Sequence, residues 1–256
     1  MTLEYKGIHI NYLDEGQGKP IVLLHGFLEN STMWKNLTPH LLKNNRVISI
    51  DLLGHGKTHC LGYVHTMEDM ADAVNAVLIK LNINECTLIG HSMGGYVALA
   101  YAEVNSEKIN GLCLMNSTAQ EDSEERKLNR DRAIKAVKHN HKVFVSMAVT
   151  NLFAIDNRTR LSKEIEDAKT EALKTPLQGI IAALEGMKIR KDRTHILKES
   201  GFKKMLIVGK KDHILNTKTL KVQTENTDVQ IVEFSDGHMS HIENKEELSY
   251  NIIHFV

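Results

Sequence analysis

The chain has 256 residues, 42% hydrophobic and 25% charged, with 32 Lys+Arg balanced by 32 Asp+Glu. Zero net charge at pH 7 removes the global field on which nucleic-acid and anionic-membrane binders rely, and the apolar content excludes intrinsic disorder. Cys60, Cys86 and Cys113 are too few and too scattered for a disulfide framework, and they form no CxxC metal pair.

Met1 to Gly7 is polar, and no run reaches the length of a membrane span, so a cytoplasmic protein with reduced thiols and no leader is expected. Glu4 to Asp14 alternates as a hairpin that closes near Lys6-Gly7. Pro20 to Leu24 reads as a buried strand running into His25 and Gly26, followed by a helix over Ser31 to Leu42. Arg46 to Ile50 is the next strand and ends at Asp51. Met67 to Leu81 is a helix with Met70, Val74, Val77, Leu78 and Leu81 on one face. Cys86 to Ile89 is a strand, Gly90 to Gly95 a turn, and a helix continues to about Val104. Ile109 to Met115 is a further strand.

From Ser117 to about Leu197 no strand-like run occurs, only charged helical stretches such as Glu124 to Val137 and Lys163 to Leu173. The alternation resumes with a strand over Lys204 to Val208, a helix near Thr217 to Thr224, a strand over Val229 to Phe234 and a last helix after Glu243. Apolar runs of strand length separated by helical segments predict a mostly parallel α/β sheet. Residues 1–117 and 198–256 are expected to form its core, and 118–197 a helical insertion.

Gly90 to Gly94 fits G-x-S-x-G with a buried strand before it and a helix after it, the setting in which a sharp turn lifts a serine hydroxyl clear of a sheet edge. The helix N-terminus beneath favours developing negative charge. Such a serine needs a base, and the base an orienting acid. Asp212 follows the strand at 206–208 and His238 the strand at 231–234, and parallel strands deliver their C-terminal loops to one rim. An acid at the end of the preceding strand is ruled out because Asn116 is an amide. Ser92, His238 and Asp212 are therefore expected to be nucleophile, base and acid.

His238 and His241 have the spacing of a metal pair, but no third ligand with sensible spacing follows, so no metal and no organic cofactor are expected. His241 and Glu243 are expected to pin the histidine loop, and His139 and His141 to lie on the surface. Acyl transfer needs two N–H groups aimed at the developing oxyanion, and Phe27 and Met93 are placed to supply them. Gly56-Lys57-Thr58 has the ending of a phosphate-binding loop, but Asp51 at the first position of that motif would repel phosphate. A turn supporting the rim is expected there instead.

On His25 to Phe27, Asp51 to Gly56, Gly90 to Gly95, Asp212 and Gly237-His238, the chain resembles the α/β-hydrolase fold superfamily over essentially its whole length. The resemblance implies an eight-stranded, mostly parallel sheet flanked by helices, with the insertion as a lid. It assigns Ser92, Asp212 and His238 to a catalytic triad and Phe27 and Met93 to the oxyanion hole. The expected activity is hydrolysis of a carboxylic ester or related acyl bond through an acyl-enzyme, on a small-molecule substrate. Leu28, Met147, Phe153, Ile214 and Met239 are the expected apolar walls of its pocket. Alternatives on the same fold are a C–C bond hydrolase, a menaquinone-pathway-type lyase and a receptor-like ligand binder with little turnover. Those lyases generally place an arginine on the nucleophile helix, where this chain has Tyr96. Arg126, Arg130 and Arg132 are expected on a solvated helix face, paired with Glu124, Glu125 and Asp131.

Overall fold

Four consecutive apolar residues, Ile21 to Leu24, can all be buried only if the strand that carries them is covered on both faces. The computed structural model, which describes residues 1–256, has that arrangement, and all four are buried. Eight strands form one sheet: β1 (Thr2–Tyr5), β2 (Ile8–Gly16), β3 (Lys19–Leu24), β4 (Asn45–Ile50), β5 (Cys86–His91), β6 (Ile109–Met115), β7 (Lys203–Gly209) and β8 (Gln230–Phe234). Their order is β1-β2-β4-β3-β5-β6-β7-β8. β1 and β2 form the antiparallel hairpin, β2 runs antiparallel to β4, and every other pairing is parallel.

Parallel neighbours need crossovers, and helices supply them. The β3–β4 crossover was expected to be one helix from Ser31 to Leu42. It is a 3-10 segment, Ser31–Asn36, followed by the short helix α1 (Thr38–Leu41). The cause is Pro39, which has no N–H to continue the helix ladder and is tolerated only in a first turn. Next come α2 (Met67–Lys80), started by a Thr66–Asp69 capping box, and α3 (Met93–Val104). Between β6 and β7 lie α4 (Glu124–His139), α5 (His141–Leu152), α6 (Ser162–Ala172), α7 (Leu177–Lys188) and α8 (Thr194–Glu199). The chain ends with α9 (Thr217–Val222), α10 (Ser240–Glu243) and α11 (Lys245–Phe255). No helix is long and apolar enough to cross a membrane.

Strand alternation divides the core between the two faces. Val22 and Leu24 join α2 and α3 on one side, whereas Ile21 and Leu23 meet Trp34, Ile252 and Phe255 on the other. Val145, Val149, Phe153 and Ile165 from the helices between β6 and β7 belong to the first of these clusters, so these helices share the core of the sheet. One register row, Leu24–Gly90–Leu114–Leu206–Ile231, crosses the five parallel strands from β3 to β8. The loops beyond that row leave the sheet along a single edge, and these loops carry the candidate site.

Candidate active site

Ser92 adopts φ 49 and ψ −112, a conformation that costs an L residue about 1–3 kcal/mol. Its neighbours over-determine it. The Ser92 N–H donates to Met115 O at 2.9 Å, and the Ser117 hydroxyl donates to Ser92 O at 2.7 Å. A Cβ on Gly90 would overlap the Gly94 backbone, and one on Gly94 would overlap the Leu24 carbonyl. Only glycine at both positions lets α3 begin so close to the sheet. Ser92 itself is half-buried, hence reachable from solvent.

His238 lies with Nε2 2.9 Å from Ser92 Oγ and Nδ1 2.6 Å from Asp212 Oδ2. A carboxylate only accepts, so Nδ1 carries a proton, which leaves Nε2 of the neutral ring to accept from the serine. Asp212 also receives the N–H groups of Ile214 at 2.7 Å and Leu215 at 3.1 Å. Burial pushes its carboxyl up, but His238 and these donors hold it below its ordinary value. Asp212 is thus kept as an anion against the imidazole.

Asn116, set aside in the sequence as unable to act as the acid, belongs to the site all the same. It sits at φ 46 at the end of β6. Its amide donates to Asp212 Oδ2 and Gly237 O, each at 3.2 Å, and its Oδ1 accepts from the Ser240 hydroxyl at 2.6 Å. The available signal was an asparagine at the carboxyl end of a parallel strand, since Asn tolerates the left-handed region better than most residues. The histidine loop is pinned by Glu243, as expected: its carboxylate accepts from Gly237, Met239 and Ala154 N–H and from Asn157 Nδ2. Helix α5 takes part as well, because the His238 N–H donates to Leu152 O at 2.9 Å.

The segment after β3 forms a tight turn in which the Glu29 N–H donates to Gly26 O at 3.2 Å and Leu28 takes φ 64. The Gly26 N–H donates to Glu29 Oε2 at 2.8 Å. The N–H groups of Phe27 and of Met93, the first residue of α3, donate to no protein acceptor. His25 braces this turn, its Nδ1 facing Gly26 O at 2.8 Å while Nε2 accepts the Leu52 N–H at 2.9 Å. Asp51 is buried and accepts from Ser31 N–H, Lys57 N–H and Asn11 Nδ2, so the Gly56-Lys57-Thr58 segment is a turn wrapped around a carboxylate. Phosphate has no place there.

Glu29, His91 and His241 bring ligand-capable atoms within 4.8 Å of one another. Glu29 Oε2 and His91 Nδ1 are 2.6 Å apart, whereas two ligands of a tetrahedral zinc lie about 3.3 Å apart, given metal–ligand bonds near 2.0–2.1 Å. The close contact is a hydrogen bond, and the donor set does not fit a metal in this arrangement. His241 was expected to pin the histidine loop by hydrogen bonding. Instead Nε2 approaches Glu29 Oε1 at 3.5 Å and Nδ1 has no partner. His238 has both ring nitrogens engaged, which removes the His238–His241 metal pair as well.

The expected pocket residues fall into different environments. Leu28 and Met239 border a cavity of about 140 Å³ beside the turn after β3, with Met33, Ala168 and His241, and neither Ser92 nor His238 lines it. Phe153 is 0% exposed, so it cannot touch a ligand without rearrangement. Met147 and Ile214 are exposed at 61% and 37% and lie outside that cavity. His139 is exposed as expected, but His141 is half-buried with an unpartnered Nε2.

Arg126 and Arg130 do not pair with Glu124, Glu125 or Asp131. Both turn to the fully buried carboxylate of Asp122, at 2.8 and 2.5 Å, where Arg190 joins them at 2.6 Å. The guanidinium of Arg190 lies 4.2 Å from the centre of the Tyr96 ring, and Arg126 also donates to Ile214 O at 2.9 Å. A buried carboxylate is far costlier to leave unpaired than a surface one, so Asp122 draws in the helix face. Arg132 alone stays exposed, bonded to Asn129.

Solved structures similar to this fold are numerous. A thermophilic esterase from Thermogutta terrifontis superposes with a TM-score of 0.91 at 31% identity, covering 99% of this chain and 95% of that one. An enol-lactonase from Burkholderia xenovorans LB400 has the same TM-score at 21% identity, which speaks for the fold alone. Among curated relatives, 2-hydroxy-6-oxo-6-(2'-aminophenyl)hexa-2,4-dienoic acid hydrolase of Metapseudomonas resinovorans is 33% identical over 115 residues, 43% of this chain and 40% of that protein. A 2-hydroxymuconate semialdehyde hydrolase of a Pseudomonas species is 36% identical over 115 residues, 43% of this chain and 41% of the relative. These local matches span well under half of either relative. The family described as "alpha/beta hydrolase fold" matches from residue 19 to residue 245, through every loop on the rim described above, and this chain belongs to it.

Proposed function

We propose that the protein is a serine hydrolase of carboxylic esters or related acyl bonds. The observation that carries this reading is the unbroken hydrogen-bonded series Asp212–His238–Ser92, at 2.6 and 2.9 Å. In the proposed mechanism Ser92 Oγ attacks the acyl carbon as His238 Nε2 takes its proton, and the Asp212 carboxylate stabilises the resulting imidazolium. The free N–H groups of Phe27 and Met93 receive the oxyanion, each worth about 3–4 kcal/mol in the transition state. His238 returns the proton to the leaving alcohol. Water, deprotonated by the same nitrogen, then cleaves the acyl-enzyme and releases the acid. No cofactor enters these steps.

The helices from α4 to α7 are read as a lid over this rim. Supporting this, Arg126 bonds Ile214 O beside Asp212, and Leu152 O holds the backbone of His238. Ile214, whose N–H bonds Asp212, and Met239, next to His238 in the chain, flank the triad, and Leu28 shares a neighbouring cavity with Met239. Hydrolysis of a C–C bond is the second reading, favoured by the two dienoate-type and semialdehyde hydrolases among the relatives.

A chain-length panel of p-nitrophenyl esters and acyl thioesters, with a ring-fission dienoate alongside, tests the proposal. Ester turnover with an initial burst, stoichiometric fluorophosphonate labelling of Ser92, and a loss of about 10⁴-fold or more in Ser92→Ala are expected. Absence of ester and thioester turnover and of labelling, with a ligand that only raises the melting temperature, would leave a binding protein on this fold.

A further inference from the structure

The residue before Ser92 is a histidine buried with both ring nitrogens against polar groups. His91 is 1% exposed, and both of its ring nitrogens face acceptors. Nε2 lies 2.9 Å from the backbone carbonyl of His238, which cannot donate. Nδ1 lies 2.6 Å from Glu29 Oε2, the same oxygen that accepts the Gly26 N–H. A neutral imidazole has one proton for two such partners, whereas an imidazolium satisfies both. We propose that His91 and Glu29 are positioning residues: a buried imidazolium–carboxylate pair that locks the nucleophile turn, the oxyanion turn and the histidine loop into one geometry.

The pair reaches each part of the proposed machinery through the backbone. Glu29 holds the Gly26 peptide and, by the turn it closes, sets the direction of the adjoining Phe27 N–H. His91 carries Ser92 on one side and restrains the His238 carbonyl on the other. The charged groups around His91 favour the protonated ring. Burial lowers its affinity for a proton, but Glu29 above all, the His238 carbonyl and Asp212 raise it above the ordinary histidine value. Burial pushes Glu29 up, but His91 above all, with His241 and His25, holds it down at about 2. His241 stands against the Glu29 carboxylate, yet burial and the positive charge of His91 bring it down to about 4, so it stays neutral beside the pair. His25, buried on the other side, is likewise depressed, chiefly by burial.

The inference rests on the serine-hydrolase reading for its activity readout and on the protonation state of His91 for an independent one. Glu29→Gln keeps a side chain that can accept the Gly26 N–H but removes the charge that holds the second proton on His91. Its expected effect is a kcat lower by about tenfold to a hundredfold, with KM for a small ester nearly unchanged and Ser92 labelling slowed in parallel. The alkaline limb of the kcat–pH profile, where His91 loses its proton, is expected to move to lower pH in the variant. Glu29→Asp is expected to restore part of kcat, provided the shorter carboxylate still meets His91. In the wild-type protein at pH 7, imidazole 15N NMR is expected to show protons on both His91 nitrogens, a measurement that needs no variant to fold.

A single neutral His91 tautomer at pH 7 would overturn the proposal. So would a folded Glu29→Gln protein with wild-type kcat and an unmoved alkaline limb. If the wild-type protein hydrolyses no ester while His91 is doubly protonated, the functional reading fails and the buried ion pair stands.

Discussion

Asn116 shows how far a side chain's role depends on its partners. As an amide it cannot be the acid of a triad, yet it donates to the Asp212 carboxylate and to the Gly237 carbonyl, and it anchors Ser240. Removing it leaves the Gly237 carbonyl and the Ser240 hydroxyl short of a partner, a loss of about 1–3 kcal/mol. Asn116→Ala adds strain, because alanine adopts φ 46 less readily than asparagine. Asn116→Gly removes the same amide without that strain. Thermal unfolding is expected to place the glycine variant between the wild type and the alanine variant. Both variants are expected to lose about tenfold in kcat at nearly constant KM, since Ile214 and Leu215 still hold Asp212. Recovery of kcat in the glycine variant would place the effect in the backbone and not in the amide.

The helix α7 illustrates packing between elements. Gln178 donates to Gly62 O at 2.8 Å and the His65 N–H donates to Ala182 O at 3.0 Å, so α7 lies directly on the segment that leads into α2. Two glycines make this approach possible: a Cβ on Gly179 would overlap the Gly54 carbonyl, and one on Gly186 the His65 carbonyl. In an isolated helix Gly→Ala would stabilise by about 1 kcal/mol. Here overpacking of about 1–3 kcal/mol opposes it, and the obstacle is backbone, which cannot rotate away. Gly186→Ala is therefore expected to lower the denaturant midpoint with an unchanged m-value. A raised midpoint would mean that α7 moves freely off the core.

Acid stability is a property of the whole molecule, because its buried histidines are spread through the fold. His25, His55, His65 and His241 are all depressed below the ordinary value of 6.5, chiefly by burial, to about 3 for His55 and about 4 for His241. Below pH 6.5 the unfolded chain binds protons that these folded sites refuse, so stability falls as pH drops toward their folded values. Glu29, held at about 2 against an ordinary 4.5, adds a loss that begins near pH 4.5. His91 has the opposite sign: its contribution is complete below 6.5 and is lost as pH rises through its raised folded value. The melting temperature is thus expected to decline from about pH 6.5 downward and more steeply below about pH 4.5. A melting temperature constant from pH 7 to pH 4 contradicts this balance.

Periodicity and local turn chemistry carried the strands, most helices and the placement of Ser92, Asp212 and His238 on one rim, because each depends on spacing within a short segment or on the parallel-strand rule. Even the break before α1 was written in Pro39, though the apolar pattern concealed it. Partnerships across loops were not legible. Glu29 meets His91 across 62 residues and Asn116 meets Asp212 across 96, and no local pattern encodes such pairs. Arg126 and Arg130 differ from the expectation for another reason: Asp122 is only four and eight residues away, but its burial, which spacing does not display, makes it a stronger attraction than the surface acids. Sequence periodicity settles which faces must be covered, since apolar area is additive along a chain. Which polar group answers which buried charge is decided only when sheet register and helix packing bring distant loops within hydrogen-bonding distance.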